Sequence, residues 1–182
     1  MLLAHAALGL LVEQACYEEE LAQRLRQRVI GWQPPRAEVL RGLGLLRDRR
    51  FIRSRSGDGW YEPTFQGSRA FESWMRTSPP HLLSHDELKV RFVLMRLDHF
   101  TDLHRTFREQ HRLCVDRLGE SIRTASLGLA SQDDQVWQLH RNHLVSQAEA
   151  VELQMTMTLL QYAIEVVEPF IFSAGERAKR RG

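Results

Sequence analysis

Apolar residues along this chain recur at helical spacings on both sides of a proline pair. Residues 2–11 are almost continuously apolar, which predicts a helix buried on most of its faces. Leu21, Leu25 and Val29 follow at four-residue intervals and predict one face of a second helix over 18–29. Gly31-Trp32-Gln33-Pro34-Pro35 reads as a turn. A proline at the start of a helix lacks only an N–H that would have no partner, so a third helix is expected from about Pro35 to Arg49. Burying Val39, Leu43 and Leu46 turns Arg36, Leu40, Arg41, Gly44 and Arg47 outward. Gly42 and Gly44 each weaken that helix by roughly 1 kcal/mol relative to alanine and permit close approach. Two short β-prone runs, 51–55 and 60–63, then flank Ser56-Gly57-Asp58-Gly59, the pattern of a two-stranded hairpin. Thr64 is placed to cap a fourth helix that closes the domain with Phe71, Trp74 and Met75.

Pro79-Pro80 blocks helix continuation and marks a linker over 79–83. Ser84-His85-Asp86-Glu87 has the spacing of a capping box and opens a helix carrying Leu88, Phe92, Met95 and Leu97. After a break near Asp98-His99, a helix over 101–124 carries Leu103, Phe107, Cys114, Leu118 and Ile122. A loop around 128–133 leads to a last helix over 134–168, which Pro169 is expected to stop. Its roughly 35 residues at ~1.5 Å each span about 50 Å, too long for one small domain to cover. Trp137, Leu144, Val151, Met155, Leu159, Tyr162 and Val166 need a partner along that length, and a second copy of the chain supplies one. The expected organisation is mainly α: a winged helix-turn-helix DNA-binding domain over 1–78, the linker 79–83, a helical dimerisation domain over 84–172 and a basic flexible tail over 173–182. Leu103, Phe107, Leu118, Val151, Met155, Leu159 and Tyr162 are the candidate dimerisation residues.

Charge sharpens this division. The net charge of the 182 residues is only +2, yet ten arginines stand against Glu38 and Asp48 between positions 24 and 55. Between 79 and 172 the balance reverses, with nine basic and thirteen acidic residues. A localised basic window beside an acidic remainder is what one expects where one part of a protein meets a polyanion. Arginine makes up 23 of the 25 basic residues throughout the chain, so a solvated, arginine-rich surface is the competing reading. Residues 1–12 are too short to span a bilayer and lack the features of a secretory signal, so no membrane partner and a cytoplasmic location are expected. Cys16 and Cys114 read as reduced, packed thiols.

Three helices, the third basic, followed by a hairpin with Arg53 and Arg55 at its mouth, outline a winged helix-turn-helix. The chain resembles the phenolic-acid-regulator (PadR) family of bacterial repressors. The resemblance lies in Leu10-Leu11-Val12, Glu20-Leu21-Ala22-Gln23-Arg24-Leu25, Trp32, Val39-Leu40-Arg41-Gly42-Leu43 and Phe51-Ile52. It continues in Tyr61-Glu62-Pro63-Thr64-Phe65-Gln66-Gly67-Ser68-Arg69, Trp74-Met75, Asp86-Glu87-Leu88 and Arg91-Phe92-Val93-Leu94. It implies a dimeric, ligand-responsive transcriptional regulator, often a repressor, held together by its C-terminal helices. The chain departs from the family at four places. Pro34-Pro35-Arg36-Ala37-Glu38 stands where a small hydroxyl or glycine usually opens the recognition helix, Leu40 replaces a tyrosine, Arg50 a glycine, and Glu18-Glu19 a Gly-Tyr pair. Either the operator differs from the family's usual one or DNA binding has weakened.

Candidate DNA-binding residues are Arg36, Arg41 and Arg47, opposite the buried stripe, with Arg53 and Arg55 on the wing as phosphate contacts. Eight histidines include His81 and His85, His140 and His143, and His104 and His111 at spacings that allow chelation, but no paired Glu-x-x-His constellation occurs, so no metal is expected. No phosphate-binding glycine loop, nucleophile elbow or zinc-protease motif is present, so the expectation is a non-enzyme without cofactors. The partners expected are double-stranded DNA, a second copy of the chain and a small-molecule effector whose pocket the sequence does not locate. The alternative is a non-enzymatic interaction module that retains the winged-helix fold and dimer but has lost specific DNA binding.

Overall fold

The structure is a computed structural model. It describes the backbone of residues 1–29, 31–55, 59–127 and 136–179, and the side chains of these except 124–127, 136–140, 142 and 172–179. The elements are α1 (Leu2–Glu13), β1 (Cys16–Tyr17), α2 (Glu18–Arg28), α3 (Arg36–Asp48), β2 (Ile52–Ser54), β3 (Trp60–Pro63), α4 (Phe65–Arg76), α5 (His85–Leu94), a 3-10 turn (Leu97–His99), α6 (Phe100–Leu127) and α7 (Val136–Lys179). They fall into two compact units, Met1–Thr77 with Ser84–His99, and Ser78–Leu83 with Phe100–Gly182. The fold class is as the apolar pattern predicts: mainly α, a winged helix followed by long helices.

In the first unit α1 is the central post. Its Ala6, Ala7, Leu8, Leu10 and Leu11 are buried, and α2, α3, α4, α5 and β3 pack around it. Gly9 makes this possible, because a Cβ there would lie 2.6 Å from Leu94 Cδ1 and 2.7 Å from the Phe71 ring. The wing strands pair antiparallel, Ile52 opposite Pro63 and Arg53 opposite Glu62. A third strand joins them: Cys16 lies opposite Tyr61 and Tyr17 opposite Trp60, giving the sheet order β1-β3-β2. The loop residues Ser56, Gly57 and Asp58 of the expected hairpin turn lie outside the described residues.

Thr64 and Gly67 fasten α4 to the turn between α3 and β2. The Thr64 hydroxyl accepts the Gly67 N–H at 3.0 Å and donates to the Arg50 carbonyl at 2.7 Å, while the Thr64 N–H donates to the Phe51 carbonyl at 2.9 Å. A Cβ on Gly67 would sit 1.9 Å from that Phe51 oxygen, so only glycine fits. The Tyr-x-x-Thr-x-x-Gly spacing is thus the sequence record of a backbone contact. The turn ends α3 in a Schellman arrangement: Phe51 N–H bonds the Leu46 carbonyl at 2.9 Å and Arg50 N–H the Arg47 carbonyl at 2.8 Å. Arg50 takes the left-handed position at φ +58°, where glycine is the usual residue.

Helix α5 opens as its capping box predicts, with the Ser84 hydroxyl accepting the Glu87 N–H at 3.2 Å. It packs with the first unit, not with the second, where the sequence reading put residues 84–99. Leu94 of α5 packs at Gly9 of α1, and Arg91, only 2% exposed, donates to Glu87 at 3.0 Å and to the Thr77 carbonyl at 2.9 Å and lies 4.6 Å from the Trp74 ring centroid. His5 stacks on the same Trp74 at 4.7 Å and 3° between planes. Burial is the main cause holding the His5 pKa below the usual 6.5, with Arg91 adding to it against Glu87.

In the second unit α6 and α7 pack along their length. Leu153, Thr156, Leu160, Ala163 and Val167 form the buried seam of α7, at alternating three- and four-residue steps. Gln110 on α6 holds the linker: its side-chain oxygen accepts Leu83 N–H at 2.7 Å and its amide donates to the Pro79 and His81 carbonyls at 3.2 and 3.1 Å. Two expectations need correction here. Pro169 does not stop α7, which runs on to Lys179, so the backbone of 173–179 is helical rather than a flexible tail. A proline removes one intrahelical bond and bends a helix that packing continues to hold. Phe170, immediately past it, lies against Phe100 with ring centroids 5.2 Å apart. Leu103 and Phe107, assigned to dimerisation, are 0% and 1% exposed in the single chain, so they offer no surface to a second copy. Both cysteines are buried free thiols, and burial pushes each thiol pKa up.

Candidate nucleic-acid interface

Helix α3 carries the candidate surface. Val39, Gly42, Leu43 and Leu46 are its buried positions, and Gly42 faces the backbone of Ala4, 3.8 Å from where its Cβ would be. Arg36, Ala37, Leu40, Arg41, Leu45 and Arg47 are exposed. The three arginines assigned to DNA are all exposed on α3, Arg36 and Arg47 beside the buried stripe and Arg41 about 120–140° further round the helix. Arg41 and Arg47 make no ion pair among the described residues. Arg36 does: its Nε donates to Glu18 Oε1 at 2.8 Å, which raises the arginine pKa further, chiefly through that hydrogen bond. Glu18 is the first residue of α2, so this pair joins the starts of the two helices. Beside it a crevice of about 190 Å³ is lined by Glu18, Glu19, Ala22, Arg26, Arg36 and Val39.

On the wing, Arg53 Nε donates to Glu62 Oε1 at 2.6 Å across the strand pair, and Arg55 lies over the Trp60 ring at 5.9 Å. Alternation along an extended chain sends residues 53 and 55 to one side of the sheet. Both are exposed. The sequence reading missed the two carboxylates, Glu18 and Glu62, that share these arginines. Glu62 was detectable in principle as the residue opposite Arg53 in the hairpin register, whereas no local pattern links Glu18 to Arg36.

In the second unit Val151, Met155 and Tyr162 are 58%, 60% and 58% exposed, while Leu118 and Leu159 are half-buried. With Leu144, 61% exposed, Val151, Met155 and Tyr162 form an apolar stripe on α7 away from its buried seam, whereas Leu118 is on α6. Trp137, assigned to the same stripe, and His140, one of the histidines at chelating spacing, have side chains outside those described. A separate open crevice of about 810 Å³ runs between α6 and α7, lined by Arg108, His111, Arg112, Gln161, Ile164 and Glu168 among others.

Glu72, Asp98 and His99 bring potential ligand atoms within 4.8 Å of one another. Their donors already have partners: Glu72 pairs with Arg96 and with His99 Nε2 at 2.7 Å, Asp98 with Arg96 at 3.4 Å, and His99 Nδ1 accepts the Arg96 backbone N–H at 3.3 Å. The arrangement is an arginine-neutralised network that fixes the end of the first unit. Among the described residues no helix is long and apolar enough to cross a membrane.

No family model matches the chain, and no curated protein matches it. Solved structures do. The transcriptional regulator PadR from Bacillus subtilis is 16% identical, with 92% of this chain and 99% of that chain covered and a TM-score of 0.40. The same protein in complex with operator DNA gives 16% identity, 92% and 99% coverage and a TM-score of 0.38. The virulence activator AphA from Vibrio cholerae is 14% identical over 96% of this chain and 99% of that chain, with a TM-score of 0.39. At these identities and scores the likeness is distant.

Proposed function

We propose that the protein is a homodimeric, winged-helix transcriptional regulator that binds double-stranded DNA through α3 and the wing. The observation that carries this reading is the outward face of α3, where Arg41 and Arg47 stand exposed without an acidic partner among the described residues, on a helix whose opposite face is fully buried. A basic helix of this kind fits a major groove, and Arg53 and Arg55 on β2 and its loop suit the flanking phosphates. The exposed stripe of Val151, Met155 and Tyr162 on α7 supports the dimer. Repression is the expected sign of regulation from the family resemblance, and the crevice between α6 and α7 is large enough for a small effector.

A second reading is favoured by a specific observation. Glu18 and Glu62 already neutralise Arg36 and Arg53, as they would on an interaction module that has given up DNA. Fluorescence anisotropy on DNA from upstream of the protein's own coding region, against a scrambled duplex at two salt concentrations, separates the two. A specific regulator binds the cognate duplex about 10³-fold or more tightly over the control, with affinity falling steeply as salt rises. Equal, weak binding to both duplexes favours the interaction module.

A further inference from the structure

Gly44 lies in the middle of α3, where glycine weakens a helix relative to alanine. In the first unit two of the other three helical glycines have a steric reason. A Cβ would collide with Leu94 and Phe71 at Gly9 and with the Phe51 carbonyl at Gly67, whereas at Gly42 it would make only ordinary contact with Ala4 at 3.8 Å. At Gly44 a Cβ would meet nothing within 4 Å. The fold therefore does not need this glycine, and it sits on the outward side of the helix, opposite the buried Val39, Leu43 and Leu46.

Its neighbours on that side are informative. At 100° per residue, Ala37, Arg41 and Gly44 lie within about 60° of one another on the helix. Leu40 borders them and is 42% exposed. Arg41, exposed and without an acidic partner among the described residues, thus stands between two positions with little or no side chain, next to an apolar one. This face therefore offers an exposed leucine beside a gap. A major-groove edge has a use for both: the thymine 5-methyl is its apolar feature, and guanine O6 and N7 accept a bidentate arginine.

Resting on the DNA-binding reading above, we infer that α3 reads a thymine beside a guanine, with Leu40 against the thymine methyl, Arg41 on the guanine edge and Gly44 as the point where DNA comes closest to the helix backbone.

The test uses full-length protein and a duplex that the wild type selects from a random pool. Three measurements are read together: melting temperature and DNA affinity of Gly44→Ala, and affinity of wild type and Leu40→Ala for the same duplex with thymines replaced singly by uracil, which lacks only the methyl. The expected result is that Gly44→Ala melts at the same or a higher temperature yet binds at least 10-fold more weakly. One uracil position is expected to weaken wild type about 5-fold or more and leave Leu40→Ala unaffected. A merely structural role for Gly44 would move stability and binding in the same direction. Gly44→Ala binding as wild type does, or no uracil position that distinguishes wild type from Leu40→Ala, overturns the inference while leaving the regulator reading intact. Selection of no duplex by the wild type overturns both.

Discussion

Arg50 is the most exacting test of the local physics. It holds φ at +58°, in the C′ position of the Schellman end of α3, with its N–H and that of Phe51 both returned to the last turn. For a residue with a Cβ, the left-handed conformation costs about 1–2 kcal/mol. Replacing Arg50 with glycine removes that strain. The flexible glycine also makes the unfolded chain harder to order, by about 0.4–1 kcal/mol. The Arg50→Gly protein is therefore expected to be more stable by about 0.5–1 kcal/mol, a rise in melting temperature of roughly 1–4 °C for a chain of 182 residues. Arg50→Ala is the control, since it removes the same charge and leaves the strain. Thermal melts followed by circular dichroism should show glycine stabilising and alanine doing nothing or mildly destabilising. Equal shifts in the two variants would mean that charge repulsion in the basic window is the relevant quantity, and the backbone argument would be refuted.

Other outcomes follow from particular contacts. Gly67→Ala must move either α4 or the Phe51 carbonyl 1.9 Å from the new Cβ, and a loss of about 3 kcal/mol or more in urea unfolding is expected; a loss under about 1 kcal/mol would show that the contact is slack. Because burial lowers the folded-state pKa of His5 below 6.5, the unfolded chain takes up the proton first, so stability is full above about pH 6.5 and falls as pH drops through the folded pKa. His5→Phe keeps a ring against Trp74 and should lessen the fall in melting temperature between pH 7.5 and 5.5; an unchanged fall would place its origin elsewhere. Met155→Glu puts a charge in the exposed stripe of α7 and is expected to convert a dimer into a monomer by light scattering with the helical content preserved, whereas an unaltered mass would remove this stripe from the interface.

Much of the fold was legible because single residues carry unambiguous local signals. Ser84 and Thr64 cap where the sequence puts them, and the stripe Val39, Leu43, Leu46 correctly oriented α3. The rest depends on tertiary partners. β1 is two residues long and exists only because β3 offers Tyr61 and Trp60 to pair with, so Cys16-Tyr17 gives no pattern of its own. Pro169 looks like a stop signal until Phe170 is seen against Phe100, and Arg91 looks like a surface residue until Glu87, Thr77 and Trp74 enclose it. Leu103 and Phe107 have the spacing of any apolar seam, which cannot say whether the partner is α7 or a second copy. At the candidate site the arginines expected at the surface are exposed. That Glu18, 18 residues before Arg36, competes for one of them is a fact of three-dimensional packing.

The central claim, that the outward face of α3 and the wing recognise DNA in a dimer, is tested most directly by selecting duplexes from a random pool with the wild-type protein and with an Arg41→Ala/Arg47→Ala variant in parallel. Wild type is expected to enrich a two-fold symmetric motif with half-sites about one helical turn, or a small multiple of it, apart, and the variant to enrich none. A pool that the wild type leaves unenriched, or the same motif recovered with both arginines removed, would contradict it.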